Sequence, residues 1–340
     1  MDVSIASDQQ LLAETAARVA EALGTSATAS LPVRDDDPDA WRMLADTGFV
    51  GLRLPEPVGG NATGFDVALI AEEFGRNLVP VPFLGQAVLA PELLWRAGLT
   101  EEALAAVSGG QQRCTVALDP SLGGLARAGA RSIAWDARGA THALVVGDDG
   151  SLSRASLGDS QADCADLTRV LVPFAPTGAL EPIGRLDAAA LDRFHALALA
   201  MLSADLVGVM QGAVDAAVGY VRDRVQFGVP VGSFQAVQHL AADAKVLLEG
   251  ARSSMWHAAW GIDELEPADA LLSARQAKAY ASRAGRSVTE IHVQLYGGIA
   301  ITWEELAHVR VRRALLDRAT FGDEHAHEDA IADARLGPVR

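Results

Sequence analysis

Apolar positions recur at helical spacing at both ends of the chain and break into short runs between them. Near the start, Leu12, Ala16, Val19 and Leu23 share one helical face, and Gly24 supplies a stop. Residues 25–38 are small, polar and acidic and close on Asp35-Asp-Asp-Pro38, which predicts an exposed connection. Trp41 to Gly48 and Phe65 to Phe74 predict two further helices, separated by a Pro- and Gly-rich turn at Pro55–Gly60. From about Gln112 to Pro173 the texture changes. Thr115–Leu118, Ile133–Trp135, Ala143–Val146 and Val170–Val172 are short apolar runs among Gly, Asp and Ser, the pattern of strands and turns. After about Leu186 the helical spacing returns. Ala277, Ala281, Ala284, Val288, Ile291 and Leu295 step alternately by four and three, a heptad-like stripe suited to a helix bundle. Leu240, Ala244, Leu247, Ala251 and Met255 form a second stripe.

The order helices, strands, helices predicts an α+β chain with an N-terminal helical domain over 1–111, a small central β domain over 112–185 and a C-terminal helical bundle over 186–340. At 340 residues, half of them apolar, it can bury a large core. No apolar run reaches the roughly 18 residues of a membrane span. The acidic start Met1-Asp-Val-Ser-Ile-Ala-Ser-Asp lacks the basic, apolar pattern of a signal peptide. Two cysteines, Cys114 and Cys164, fit a reducing cytoplasm better than a disulfide framework. A formal charge of −16 argues against nucleic-acid binding, while leaving room for a local basic pocket.

Two segments carry candidate chemistry. Arg224-Val-Gln-Phe-Gly-Val-Pro-Val-Gly-Ser-Phe-Gln-Ala-Val-Gln-His-Leu-Ala-Ala-Asp243 packs an Arg, a Gln, an aromatic, two Gly and a Pro into a connection between helices. The guanidinium is a source of charge-assisted hydrogen bonds, the phenylalanine offers an aromatic face, and Gly228 and Pro230 shape the turn. Taken alone, the same residues also fit a helix C-terminus with a dipole-complementing Arg. Gln294-Leu-Tyr-Gly-Gly-Ile-Ala-Ile-Thr-Trp-Glu304 is the second segment, with Gly297-Gly298 readable as a plain helix stop. Thr302-Trp-Glu-Glu305 matches a capping box and predicts a helix start with Glu305 in a structural role.

These segments resemble the acyl-CoA dehydrogenase family, flavoenzymes that introduce a 2,3-double bond into acyl-CoA thioesters. Trp41 to Glu56 with Gly59-Gly60, and Ala71-Glu-Glu-Phe-Gly-Arg-Asn-Leu78, resemble its N-terminal helices in the same order. The resemblance implies the family's fold, with a C-terminal four-helix bundle, and FAD as cofactor. It also implies that Arg224, Gln226 and Phe227, with Gln294, Gly297 and Gly298, reach across a subunit interface to a neighbour's FAD. Ala300 stands where the family has a third Gly.

The family's chemistry needs a carboxylate near the substrate α-carbon. Most members place it in a segment equivalent here to Thr320-Phe-Gly-Asp-Glu324, which sets Gly322 at the base position. A minority place it on the first C-terminal helix, where Ala198 stands. Neither can abstract a proton. Cys114-Thr-Val-Ala-Leu-Asp-Pro120 and Trp135-Asp-Ala137 look like degraded versions of the family's flavin-ring strands, and the β domain is short. The expectation is therefore a base-lacking subunit of a heteromeric, α2β2 acyl-CoA dehydrogenase that completes the FAD site of a homologous, base-bearing partner. Such chains resemble those acting on steroid side-chain CoA thioesters; an acyl-CoA substrate and an electron-transfer flavoprotein acceptor follow from the same resemblance. Two alternatives stay open: a homomeric enzyme with a displaced base at Asp323, Glu324 or Glu304, and a non-enzymatic scaffold of the same fold.

Other motifs are weaker. Gly123-Gly-Leu-Ala-Arg-Ala-Gly129 does not join a clear strand to a helix as a dinucleotide site requires. His325-Ala-His327 has no third ligand close in sequence, so no metal is expected. Ser203, Ser233 and His239 lack the context of a nucleophile.

Overall fold

The structure, a computed structural model, describes residues 5–31, 36–127, 129–158, 164–176 and 180–337. Residues 32–35 of the expected acidic connection lie outside them. The N-terminal part is helical: α1 Ser7–Leu23, α2 Pro38–Asp46, α3 Gly64–Arg76, α4 Ala90–Arg96 and α5 Glu101–Ser108. Local chemistry sets the starts. Asp37 accepts from the Ala40 amide at 3.0 Å ahead of Pro38, and Thr63 and Asp66 exchange side chain-to-backbone bonds at the head of α3. The buried Arg53 guanidinium reaches Glu92 at 3.3 Å and Asp263 at 3.0 Å, and Asp263 also accepts from the Gly64 amide at 2.6 Å. That cluster fixes the N-terminal helices to the C-terminal half.

Six strands form the central sheet in the order β5-β2-β1-β3-β4-β6: β1 Cys114–Leu118, β2 Ser132–Trp135, β3 His142–Val146, β4 Ser151–Ser156, β5 Val172–Phe174 and β6 Glu181–Arg185. Only β1 and β3 pair in parallel. The apolar runs at β1, β2 and β3 match the strands. The run at Val170–Val172 does not: the strand begins only at Val172, because the Val170 carbonyl leaves the ladder to accept from the Ala137 amide at 2.8 Å. β4 and β6 carry no apolar run, since only Leu152 and Ala155 of β4 turn inward and β6 forms the sheet edge.

The C-terminal half contains α6 Ala188–Asp223, α7 Gln235–Glu264, α8 Pro267–Tyr296, α9 Ala307–Ala319 and α10 Glu324–Leu336. Helices α6 to α9 pack as the bundle, and α10 lies against α8. On the α8 stripe, Ala277, Ala281, Ala284, Val288 and Leu295 are buried and Ile291 is half-buried. By length and mean hydropathy α6 would pass for a membrane span, but 94% of its most apolar window is buried inside this chain. It is the core helix. Helix α3 crosses it so closely that a Cβ on Gly208 would stand 1.9 Å from the Glu72 carbonyl oxygen, and one on Gly75 would stand 2.3 Å from that of Asp205. Glycine at both positions sets the spacing.

Candidate functional site

The first segment is a hairpin at the end of α6. The Arg224 amide donates to the Tyr220 carbonyl at 2.8 Å, and its own carbonyl accepts from the Val231 amide at 2.7 Å. Two short strands follow, β7 Val225–Gln226 and β8 Val229–Pro230, with Val225 opposite Pro230 and Gln226 opposite Val229. Two residues remain for the turn. Phe227 has φ +55° and Gly228 φ +79°, the paired positive values of a type I′ turn. Glycine accepts that conformation freely; for phenylalanine it costs roughly 1–2 kcal/mol. Phe227 recovers nothing by burial, being 94% exposed, with Phe234 edge-on at 6.3 Å. Arg224 is exposed, and its guanidinium has no hydrogen-bond or ion-pair partner among the described residues. Gln226 donates to the neighbouring Val225 carbonyl at 2.7 Å.

The second segment ends α8. Gly297, with φ +65°, turns the chain into a 3-10 turn over Gly297–Ile301. Gln294, Gly297 and Gly298 are exposed, and a Cβ on either glycine would meet no atom within 4 Å. Gly298, with a negative φ, is therefore required neither by packing nor by conformation within this chain. Ala300 is buried, so its methyl is accommodated. The expected capping box is not formed: the helix after it begins at Ala307 with Leu306 at the cap, and Thr302 instead accepts the Glu305 amide through its carbonyl. Ile301 and Trp303 are left largely exposed. The two segments share one end of the bundle. Tyr220, on the last turn of α6, stacks on Tyr296 at a centroid distance of 4.3 Å, and Val231, Leu240 and Ile291 pack around the pair.

Neither base position holds a carboxylate. Ala198 lies wholly buried in α6. Gly322 has φ +97°, a value that side chains resist, so the loop conformation itself disfavours a glutamate there. Of the displaced candidates, Asp323 accepts the His325 and Ala326 amides as the cap of α10, and Glu324 forms a two-pronged pair with Arg318 at 2.7 Å on each arm. Glu304 is exposed in the turn before α9. Ser203 and Ser233 donate to the carbonyls of Leu199 and Pro230, as local structure requires, and His239 is exposed. Beside Gly322 lies Lys278, fully buried, its Nζ donating to the carbonyls of Gly322 at 2.8 Å and Arg318 at 2.9 Å and to Ser282 Oγ at 3.1 Å. Burial pushes its pKa down to about 7 against the pull of Asp317, Glu324 and Asp323.

Sequence comparison decides the family. Residues 6–104 match the acyl-CoA dehydrogenase N-terminal domain and residues 190–336 the C-terminal domain. Acyl-CoA dehydrogenase IpdE2 of Mycolicibacterium smegmatis is 31% identical over 317 residues, covering 90% of this chain and 92% of the relative. The chain belongs to the acyl-CoA dehydrogenase family. It is an oxidoreductase fold whose family cofactor is FAD. Among solved structures, a Tcur3481-Tcur3483 steroid ACAD variant superposes with a TM-score of 0.84 at 25% identity, covering 97% of this chain and 98% of its own. The ChsE4-ChsE5 complex from Mycobacterium tuberculosis gives a TM-score of 0.85 at 23% identity with both chains fully covered.

This acyl-CoA dehydrogenase chain also carries a buried ionic cluster that its sequence did not announce. Arg169 pairs with Asp317 at 3.1 Å, Asp205 at 3.2 Å, Asp136 at 3.4 Å and Asp166 at 3.6 Å, and lies over the Trp135 ring at 4.9 Å. Arg313 holds Asp205 at 2.5 Å and donates to Thr168 Oγ1 and to the Val79 carbonyl. The cluster thus joins the N-terminal helices, the sheet and the bundle. Burial works against the Arg169 charge, but the four aspartates outweigh it and raise its pKa. Burial likewise opposes Asp205 ionisation, yet Arg313 and Arg169 hold its carboxyl below the usual range. Asp317 goes the other way: burial, with the Asp205 charge beside it, raises its pKa well above that range despite Arg169. Trp135-Asp136 and Arg312-Arg313 were visible as sequence, but nothing local pairs residues from three parts of the chain.

Proposed function

We propose that this chain is the base-lacking subunit of a heteromeric acyl-CoA dehydrogenase and completes the FAD site of a homologous, base-bearing partner. The observation that carries the reading is the hairpin at Arg224–Pro230. It holds an unpaired guanidinium and a fully presented, conformationally costly phenylalanine outside the chain, while Ala198 and Gly322 leave its own cleft without a base. Strain and exposure with no return inside the fold point to a role in what docks on it.

The exposed set suits FAD. Arg224 supplies charge-assisted donors for pyrophosphate, Phe227 an aromatic face, and Gln294 an amide at the bundle end shared with the hairpin. Gly297 and Gly298, open on their Cβ sides, let a ligand approach the backbone. Gln226 lies on β7 between Arg224 and Phe227, with its side-chain carbonyl oxygen available. A bound FAD would supply the hydride acceptor for desaturation of the acyl chain. The chain's part is to bind and orient, with proton abstraction left to the partner's carboxylate. The division at 1–111, 112–185 and 186–340 assigns this role to the last domain.

The α2β2 assembly, a steroid side-chain CoA substrate and an electron-transfer flavoprotein acceptor belong to the same proposal, supported by similarity to IpdE2 and to the steroid ACAD and ChsE4-ChsE5 structures. The displaced-base alternative is disfavoured by the structural duties of Asp323 and Glu324. Flavin absorbance of the chain purified alone, and co-expressed with a base-bearing homologue, tests the proposal. Colourless chain alone and yellow, active complex are expected. Activity from the chain alone would overturn the heteromer reading, and colourless protein in both preparations would favour a scaffold.

A further inference from the structure

The cleft beside Gly322 has lost its base but is not empty of chemistry. It measures about 250 Å³ and opens between the Gly123-Gly124 loop of the sheet region and helices α6, α8 and α10. Leu199, Leu271 and Phe321 line it with two alanines of α10. Three nitrogen-bearing side chains, His195, Arg275 and His327, line it too, with the His195 ring edge-on to Phe321 at 6.2 Å.

His327 is 6% exposed; its ring approaches the Gly322 backbone, but the buried Nε2 finds no partner of good hydrogen-bond geometry. An unpartnered buried imidazole nitrogen is costly in a folded chain unless something arrives to satisfy it. Arg275 is half-buried, and its guanidinium has no hydrogen-bond or ion-pair partner among the described residues. In a chain of net charge −16, leaving an arginine without a carboxylate is a choice of position. The three converge. Burial lowers the pKa of both histidines, to about 4 for His327, and Arg275 lowers each further, so its charge is felt at both rings. Lys278, behind Gly322, adds positive field at His327. At His327 the field of Lys278 and Arg275 outweighs Asp323, which caps α10, and Glu324 is taken by Arg318; at His195, Asp192 outweighs Arg275.

We propose that this cleft is a binding site for a small carboxylate with an apolar tail, held by Arg275 and by His327 Nε2. The guanidinium supplies charge and paired donors to the carboxylate oxygens. Neutral His327, as its Nε2–H tautomer, supplies one more donor, and the Leu199–Leu271–Phe321 wall takes the tail. The proposal rests on the cleft's own side chains and is independent of any cofactor shared with a partner.

The test is titration of hexanoate into the full chain with histidine rings labelled for NMR. Hexanoate should move the His327 and His195 ring signals saturably, with hexanamide about tenfold or more weaker. Arg275→Gln should weaken hexanoate by a similar factor, Arg275→Lys should recover part of it, and Leu271→Trp should abolish binding by filling the cleft. Helical circular dichroism shows whether each variant is folded. Absence of a saturable shift, an equal response to hexanamide, or unchanged binding in folded Arg275→Gln would each overturn the site.

Discussion

Arg169 and Asp317 meet at 3.1 Å in a part of the molecule that water does not reach, and the proton balance of the cluster turns on that pair. Two arginines face four aspartates there. Burial penalises each carboxylate charge in low dielectric and raises the pKa of a carboxyl whose cationic support is weaker. Asp205 pairs with both arginines and its pKa falls; Asp317 pairs with Arg169 alone and its pKa rises.

The consequence is an asymmetry between two isosteric changes. Asp317→Asn puts a neutral amide in place of a carboxyl whose pKa the fold raises and should cost about 1 kcal/mol or less. Asp205→Asn strands two buried guanidinium groups and should cost roughly 3–5 kcal/mol. The pH responses differ in sign. Asp205, depressed in the fold, contributes stability above the unfolded value near 3.9 that is lost as pH falls. Asp317, raised in the fold, makes stability fall as pH rises above about 3.9, until its folded value is passed. Denaturant unfolding of both variants across pH checks this; equal costs would contradict the assignment.

Lys278 gives a third titration. Its pKa falls to about 7 in the fold, so between there and the unfolded value near 10.4 the unfolded chain binds more protons. Stability should therefore rise with pH over that window, by at most about 1.4 kcal/mol per unit. In Lys278→Met that contribution vanishes. The variant's stability relative to wild type should be most favourable near neutral pH and decline toward pH 10. Parallel curves for the two proteins would exclude a titrating Lys278.

Much of the fold was legible because burial follows period. The stripes on α7 and α8 and the apolar strands β1, β2 and β3 announce themselves. What escaped is held by contacts remote in sequence. β4 and β6 are polar because they lie toward the sheet edge, and the Thr302–Glu305 capping box lost to a turn that delays α9 until Ala307. The Arg169 cluster draws on residues from Asp136 to Asp317 and leaves no periodic trace. At the candidate site the Arg224 and Gln294 segments were readable as motifs, whereas their convergence required the Tyr220–Tyr296 stack. Gly123-Gly124 does not fit a dinucleotide-binding pattern, yet it walls the cleft.

Phe227 is strained in the isolated chain for no internal return. Phe227→Asn, which tolerates positive φ, should leave thermal stability of the isolated chain unchanged or raised by a few tenths of a kcal/mol. The same variant should reduce flavin retention in the complex. A clear loss of stability in the isolated chain would mean that Phe227 serves folding instead.

Returning a carboxylate to this chain should not make an enzyme of it. Ala198→Glu places an unpaired acid in a fully buried run of α6 and should destabilise by several kcal/mol. Gly322→Glu must adopt φ near +97° and should cost at least about 1–2 kcal/mol. Neither should show dehydrogenase turnover when purified alone, as read by dye reduction with acyl-CoA.

The most direct measurement of the shared-cofactor account is FAD occupancy of the co-expressed complex carrying Arg224→Ala. The guanidinium has no partner among the described residues, so its removal should leave the chain's own stability unaltered. A lost charged contact of roughly 1.5–3 kcal/mol should weaken FAD retention about ten- to a hundredfold, with Arg224→Lys between the two. Full flavin occupancy in an intact Arg224→Ala complex would contradict the account.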